Sequence, residues 1–133
     1  MKNILLLLFL FLLHNSFAQL YRYEKTDKKD AQNIIVEKIS EDELHSTYLI
    51  TILNHVPLHF HKDHSENIIV LEGEAIMKID SDTLNILPKD QITIPKGTHH
   101  EVIKVLGKKP LKVISVQSPK FDIKDRYFIK KED

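Results

Sequence analysis

Cysteine is absent from the sequence, which excludes a disulfide framework, a thiolate metal site and a lipid-modified N-terminal cysteine. Neither charge is in excess, since nineteen Lys and Arg balance nineteen Asp and Glu. With no basic stripe to grip phosphates, nucleic acid and anionic membranes are not expected as partners. Arginine is scarce: Arg22 and Arg126 are the only two, so no cluster stands ready to clamp a phosphate, and a sugar phosphate is disfavoured as substrate. No long stretch carries apolar residues at helical spacing, and there is no internal repeat, low-complexity tract or second domain. The longest uninterrupted apolar run, Ile4 to Leu13, is ten residues, about half of what a bilayer-spanning helix needs.

That short run sits where a signal peptide would. Lys2 gives a basic start, and Ser16-Phe17-Ala18 a small-x-small cleavage site. Residues 1–18 are therefore expected to be a signal peptide, with an uncleaved anchor as the alternative. The chain is expected to be exported, periplasmic or secreted in a bacterial-type envelope, with no membrane attachment after cleavage. An exported protein without disulfides must be held by its core, a metal or a partner subunit.

Residues 19–32 form a charged lead-in. Residues 33–117 then show short runs rich in β-branched residues: Asn33–Ile39, Thr47–Leu53, Pro57–His61, Asn67–Glu72, Ala75–Ile79, Thr83–Leu87, Gln91–Ile94, His100–Leu106 and Leu111–Gln117. Turn-forming or charged breaks separate them. Many short strands at this spacing predict an all-β antiparallel barrel or sandwich of one domain. Glu41–His45 could form one helical turn. Ile50, Ile52, Ile68, Val70, Ile92, Ile94, Val102, Ile114 and Val116 are the expected barrel filling. Residues 118–133 form a C-terminal extension whose Phe121, Tyr127 and Phe128 are expected to cover one end or edge, with a gate over a pocket as the alternative.

Two patterns carry chemistry: His59-x-His61-x4-Glu66-x6-Gly73, and later Pro95-x-Gly97-x2-His100. In a strand, His59 and His61 share one face, separated by a pleat repeat of about 6.5–7 Å, with Phe60 pointing away. Lys62 to Ser65 is too polar to continue the strand and reads as a bend that returns Glu66 to the same place. Ile68 and Val70 share its parity. Gly73 permits a tight hairpin, because glycine takes positive φ without steric cost. In the second pattern Pro95 ends a strand and Gly97 turns the chain, but alternation alone does not decide whether His99 or His100 points inward. Neutral imidazoles and a carboxylate suit Fe, Mn, Ni, Cu or Zn, and such a set leaves coordination positions open. His64, in the bend, is either a solvated histidine, a base beside the ion or an alternative ligand. His55 could line a pocket mouth, and His45 has no partner in sequence.

The first pattern is similar to the first motif of the cupins, and the second resembles the core of their second motif, in the same order and at a similar spacing. The resemblance implies a double-stranded β-barrel of jelly-roll type. It implies one divalent transition metal inside the barrel mouth, ligated by His59, His61, Glu66 and His100, and it selects His100 over His99. Three positions depart from the family pattern. The leading Gly of the first motif is Leu53, that of the second is Lys89 (with the following Asp kept as Asp90), and the terminal Asn of the second is Lys104. All are turn or support positions rather than ligands.

Two functions follow from this set. One is a metal-dependent enzyme, dioxygenase- or isomerase-like, acting on a small polar organic molecule, with Glu66 also able to carry a proton. The other is a non-catalytic barrel holding a small ligand or sugar. A barrel this small gains from burying its edge strands, so a homodimer is expected. A structural barrel that dimerises through exchanged N-terminal strands is a third, weaker reading.

Overall fold

The computed structural model describes residues 18–22 and 33–130. The expected signal peptide up to residue 17, most of the charged lead-in and the last three residues lie outside the described residues. Nine strands form where the alternating runs predict them, with shifted ends: β1 (Ile34–Glu41), β2 (Ser46–Ile52), β3 (Val56–Phe60), β4 (Ser65–Glu72), β5 (Glu74–Ile79), β6 (Asp82–Ile86), β7 (Gln91–Ile94), β8 (His100–Leu106) and β9 (Leu111–Ser118). A single 3-10 turn (Ile123–Asp125) and a two-residue strand, β10 (Tyr127–Phe128), follow. Among the described residues no helix is long and apolar enough to cross a membrane.

The strands pair antiparallel into two five-stranded sheets. One runs β1-β2-β9-β4-β7 and the other β10-β3-β8-β5-β6. Their facing surfaces form the core: Ile52, Ile68, Val70, Ile94, Leu111 and Val113 from the first sheet meet Ala75, Met77, Ile86 and Val102 from the second. This is an all-β antiparallel barrel, as the alternation predicts, and of the jelly-roll type that the family resemblance implies.

Two local expectations fail. Residues 42–45 do not make a helical turn. The Asp42 carboxylate accepts from the amides of Leu44 (2.7 Å) and His45 (3.0 Å), and this side-chain turn replaces the helical one. In β9, the expected Ile114 and Val116 are only half-buried, while Leu111, Val113, Ser115 and Gln117 are buried. The register explains it. Ser115 pairs with Ile68 and Gln117 with Glu66, so these polar residues share the parity of the interior.

Gly73 does more than turn the hairpin. Its φ is +81°, and an added Cβ would meet the Pro110 carbonyl and lie 2.8 Å from Leu111 Cα. Backbone therefore occupies the space where a side chain would begin. Gly97, at φ +81°, has open space instead. Lys89 adopts φ 82°, a conformation usual for glycine, which accounts for the Gly of the family pattern at that position. Its amide donates to Val70 O (2.9 Å), and the Asp90 carboxylate accepts from the Leu87 amide (2.7 Å). The turn is held despite the missing glycine.

Candidate metal centre

His59 on β3 and His100 at the start of β8 are Cα partners in that ladder. They therefore project from one face of one sheet, with ring centroids 4.1 Å apart. His61, two residues beyond His59, joins them with its ring 5.1 Å from that of His59 and 5.4 Å from that of His100. Glu66 comes from β4 in the opposite sheet, so the cluster bridges the two sheets. The two sequence motifs are also tied by backbone, since the Gly97 amide donates to His61 O (2.6 Å). All four side chains are buried.

Each imidazole is oriented by a backbone carbonyl. His59 Nδ1 donates to Pro57 O (2.8 Å), His61 Nδ1 to Asp125 O (2.9 Å) and His100 Nδ1 to Thr98 O (3.0 Å). A carbonyl can only accept, so the proton of each neutral ring sits on Nδ1 and the lone pair on Nε2. Carbonyl partners of this kind fix the tautomer of metal-binding histidines. One ring nitrogen from each of the three histidines lies within 4.8 Å of the others.

The carboxylate faces the same point. Glu66 Oε1 accepts from the Ser115 hydroxyl and from Gln117 Nε2 (3.3 Å), which leaves Oε2 turned toward His100 Nε2 (3.4 Å) and His61 Nε2 (3.7 Å). Those two nitrogens are buried and make no hydrogen bond. With the Nδ1 protons given to the carbonyls, both Nε2 lone pairs face one carboxylate oxygen, an arrangement that a bound cation would satisfy. At His59, burial holds the pKa down to about 3, helped by the neighbouring His100 and opposed by the Pro57 carbonyl, so this ring is neutral. Burial pushes the Glu66 carboxyl up, yet the closeness of His100 and His61 and the Ser115 hydroxyl outweigh it and hold it well below the ordinary carboxylate range. An anionic carboxylate among imidazoles whose ring nitrogens converge on one point fits a divalent transition metal.

The remaining histidines separate cleanly. His99 points outward with its ring 5.1 Å from Phe60, so His100 is the inward one. His55 is exposed and does not line the cavity; its main chain is tied to Asn33. His45 lies 2.9 Å from Asp42. His64, far from being a solvated loop residue, is buried, with Nδ1 2.6 Å from Asp125 Oδ2. Burial and the neighbouring His61 lower its pKa against the pull of Asp125, which makes it a neutral donor to that carboxylate. His61, His64 and Asp125 form a second group with ligand-like spacing, but His61 Nδ1 is engaged with the Asp125 carbonyl, so the group acts as a brace.

Asp125 is the residue that sequence reasoning missed most plainly. Its carboxylate accepts from the amides of Lys62 (2.8 Å), Asp63 (3.0 Å) and His64 (3.2 Å), capping the bend between His61 and Glu66. The C-terminal extension is therefore both cover and part of the site. It supplies the carbonyl that aims His61, and β10 pairs Phe128 with His59.

Above the cluster lies a cavity of about 270 Å³. Its walls are mostly aliphatic, including Ile34, Ile50, Ile52, Met77 and Val102, with Phe128 and Arg126 from the C-terminal segment. His59, His61, Glu66 and His100 all reach it.

Residues 53–117 match the family described as "Cupin domain", of the cupin-2 type. This chain carries a small cupin domain. Solved structures agree on the fold. KdgF from Halomonas sp. is 18% identical with a TM-score of 0.63, covering 71% of this chain and 86% of its own. A substituted Streptomyces PAC13 with uridine is 14% identical with a TM-score of 0.65, covering 85% and 95%, and Pac13 is described as a unique nucleoside dehydratase. The Cnp3 cupin domain of Schizosaccharomyces pombe is 13% identical with a TM-score of 0.62, covering 67% and 66%. No curated protein sequence matches the chain.

Proposed function

We propose that this cupin holds one divalent transition metal on His59, His61, Glu66 and His100 and is a metal-dependent enzyme, dioxygenase- or isomerase-like, acting on a small organic molecule. The observation that carries the reading is the convergence of carbonyl-oriented imidazoles on an anchored carboxylate, buried at the base of a cavity. The metal would supply Lewis acidity toward substrate oxygens. The chain supplies the rest. Carbonyls of Pro57, Thr98 and Asp125 aim the rings, Ser115 and Gln117 hold Glu66, and the aliphatic walls exclude water and bury the body of a ligand. In this reading Glu66 serves first as a ligand, because one oxygen is tied to β9 and its surroundings favour the charged carboxylate.

The aliphatic walls also favour a second reading, a barrel that retains a small ligand without turnover. Oxygen-uptake and isomerisation assays with catechol- and diketone-like compounds on metal-loaded protein separate the two. Substrate-dependent uptake or rearrangement, lost in His100→Ala, supports the enzyme; ligand-induced stabilisation without any turnover refutes it and supports the holding role. We further propose export of the chain, supported by the apolar run before Ala18, and a homodimer, supported by the eight-residue edge strand β1. Light scattering that reads a monomer at working concentration removes the dimer, and retention of residues 1–18 by cytoplasmic protein removes export.

A further inference from the structure

Arg126 sits between the 3-10 turn and β10, and its side chain lines the cavity over the proposed metal site. Its Nε is buried and has no hydrogen-bond partner. No ion pair among the described residues includes it. What fixes it among the described residues is an aromatic face: the guanidinium carbon stands 5.4 Å from the Phe121 ring centroid, and Phe121 is itself edge-on to His64 at 5.2 Å. Stacking of this kind orients the guanidinium plane but offers no acceptor for its N–H groups. The carboxylate that also lines the cavity, Glu66, is committed to Ser115, Gln117 and the histidines.

A partly buried guanidinium without an acceptor is costly, and its planar fork matches a carboxylate in two parallel bonds. The other walls decide what the rest of the ligand must be. Ile34, Ile50, Ile52, Met77 and Val102 offer no hydrogen bonds from their side chains, and the Asn33 carboxamide is engaged with the backbone of Asn54 and His55, so the body between the two polar ends is aliphatic. A single arginine, with no second cation among the described residues that line the cavity, suits a monoanion better than a phosphate.

We infer that Arg126 is a specificity-determining residue that binds the carboxylate of a small aliphatic carboxylic acid, whose second oxygen function faces the histidine cluster. The placement of that second function rests on the proposed metal site; the recognition of the carboxylate does not.

The test is calorimetric titration of the full-length, metal-supplemented protein with 4-methyl-2-oxopentanoate and with its neutral primary amide, with metal content measured on each sample. Wild type is expected to bind the acid at least about tenfold more tightly than the amide, and Arg126→Gln to weaken the acid by about tenfold to a hundredfold while leaving the amide unchanged. Arg126→Lys is expected to keep part of the preference, and circular dichroism melts confirm that both variants fold. Equal binding of acid and amide to wild type, binding of neither, or an acid preference untouched in Arg126→Gln overturns the inference. Preference for the acid in protein that takes up no metal leaves Arg126 its role and overturns the metal site instead.

Discussion

Ser115 and Asp125 show how much of this site depends on residues that touch no ligand. The Ser115 hydroxyl holds one oxygen of Glu66 so that the other faces His61 and His100. Supports of this kind are worth about ten- to a hundredfold in metal affinity, so Ser115→Ala is expected to weaken zinc or manganese binding by that factor with little change in secondary structure. Competition with a fluorescent chelator measures it, and unchanged affinity denies Glu66 its anchored role. For Asp125, burial raises the carboxyl pKa, but the bonds it accepts from the amides of Asp63 and Lys62 and from the His64 side chain outweigh it, to a net depression. The folded state thus prefers the charged form. Its stabilisation is complete above the unfolded value near ~3.9 and is lost as pH falls through the lower folded pKa. Asp125→Asn in metal-free protein is expected to cost about 2–3 kcal/mol near neutrality. The gap to wild type should hold steady above about pH 5 and narrow as the pH falls through and below the ordinary carboxylate range. Urea melts across pH read it, and a gap that widens on acidification contradicts the assignment.

Strands, turns and their parity carry these residues into place. The alternation of His59 and His61, the polar bend before Glu66 and the Pro95–Gly97 turn were legible because each is a local rule acting over a few residues. His100 needed more than alternation, since a turn precedes it; the cupin resemblance chose it, and the β3–β8 register with His59 gives the reason. Ser115 and Gln117 were not legible. Both parities of β9 contain apolar residues, so Ile114 and Val116 looked like core until Glu66, on a strand far away in sequence, gave the polar pair a buried partner. Asp125 was hidden in the same way, because its partners Lys62, Asp63 and His64 lie some sixty residues before it. The turns allow a comparison of two glycines at one φ. Gly97→Ala has only backbone strain to overcome, about 1–2 kcal/mol. Gly73→Ala must in addition displace the Pro110–Leu111 backbone, and is expected to lose well beyond that. Equal losses in chemical denaturation would show that the β4–β5 turn and the Pro110 segment are not packed as described.

Across the whole molecule, two sheets close on a core whose polar end is a bridge between them: three histidines on or beside one sheet, one glutamate on the other. A metal there would clamp sheet to sheet, and the C-terminal segment would brace the same point through Asp125. Metal at a hundred times its dissociation constant adds about 2.7 kcal/mol to folding stability, so chelation is expected to lower the melting temperature of wild type and to leave that of a His61→Ala, His100→Ala double variant unmoved. Elemental analysis of the purified protein tests the claim most directly. The account predicts one divalent transition metal ion per chain in wild type and a loss to background in the double variant. Wild type free of metal after supplementation, or a double variant that keeps a full equivalent, would contradict it.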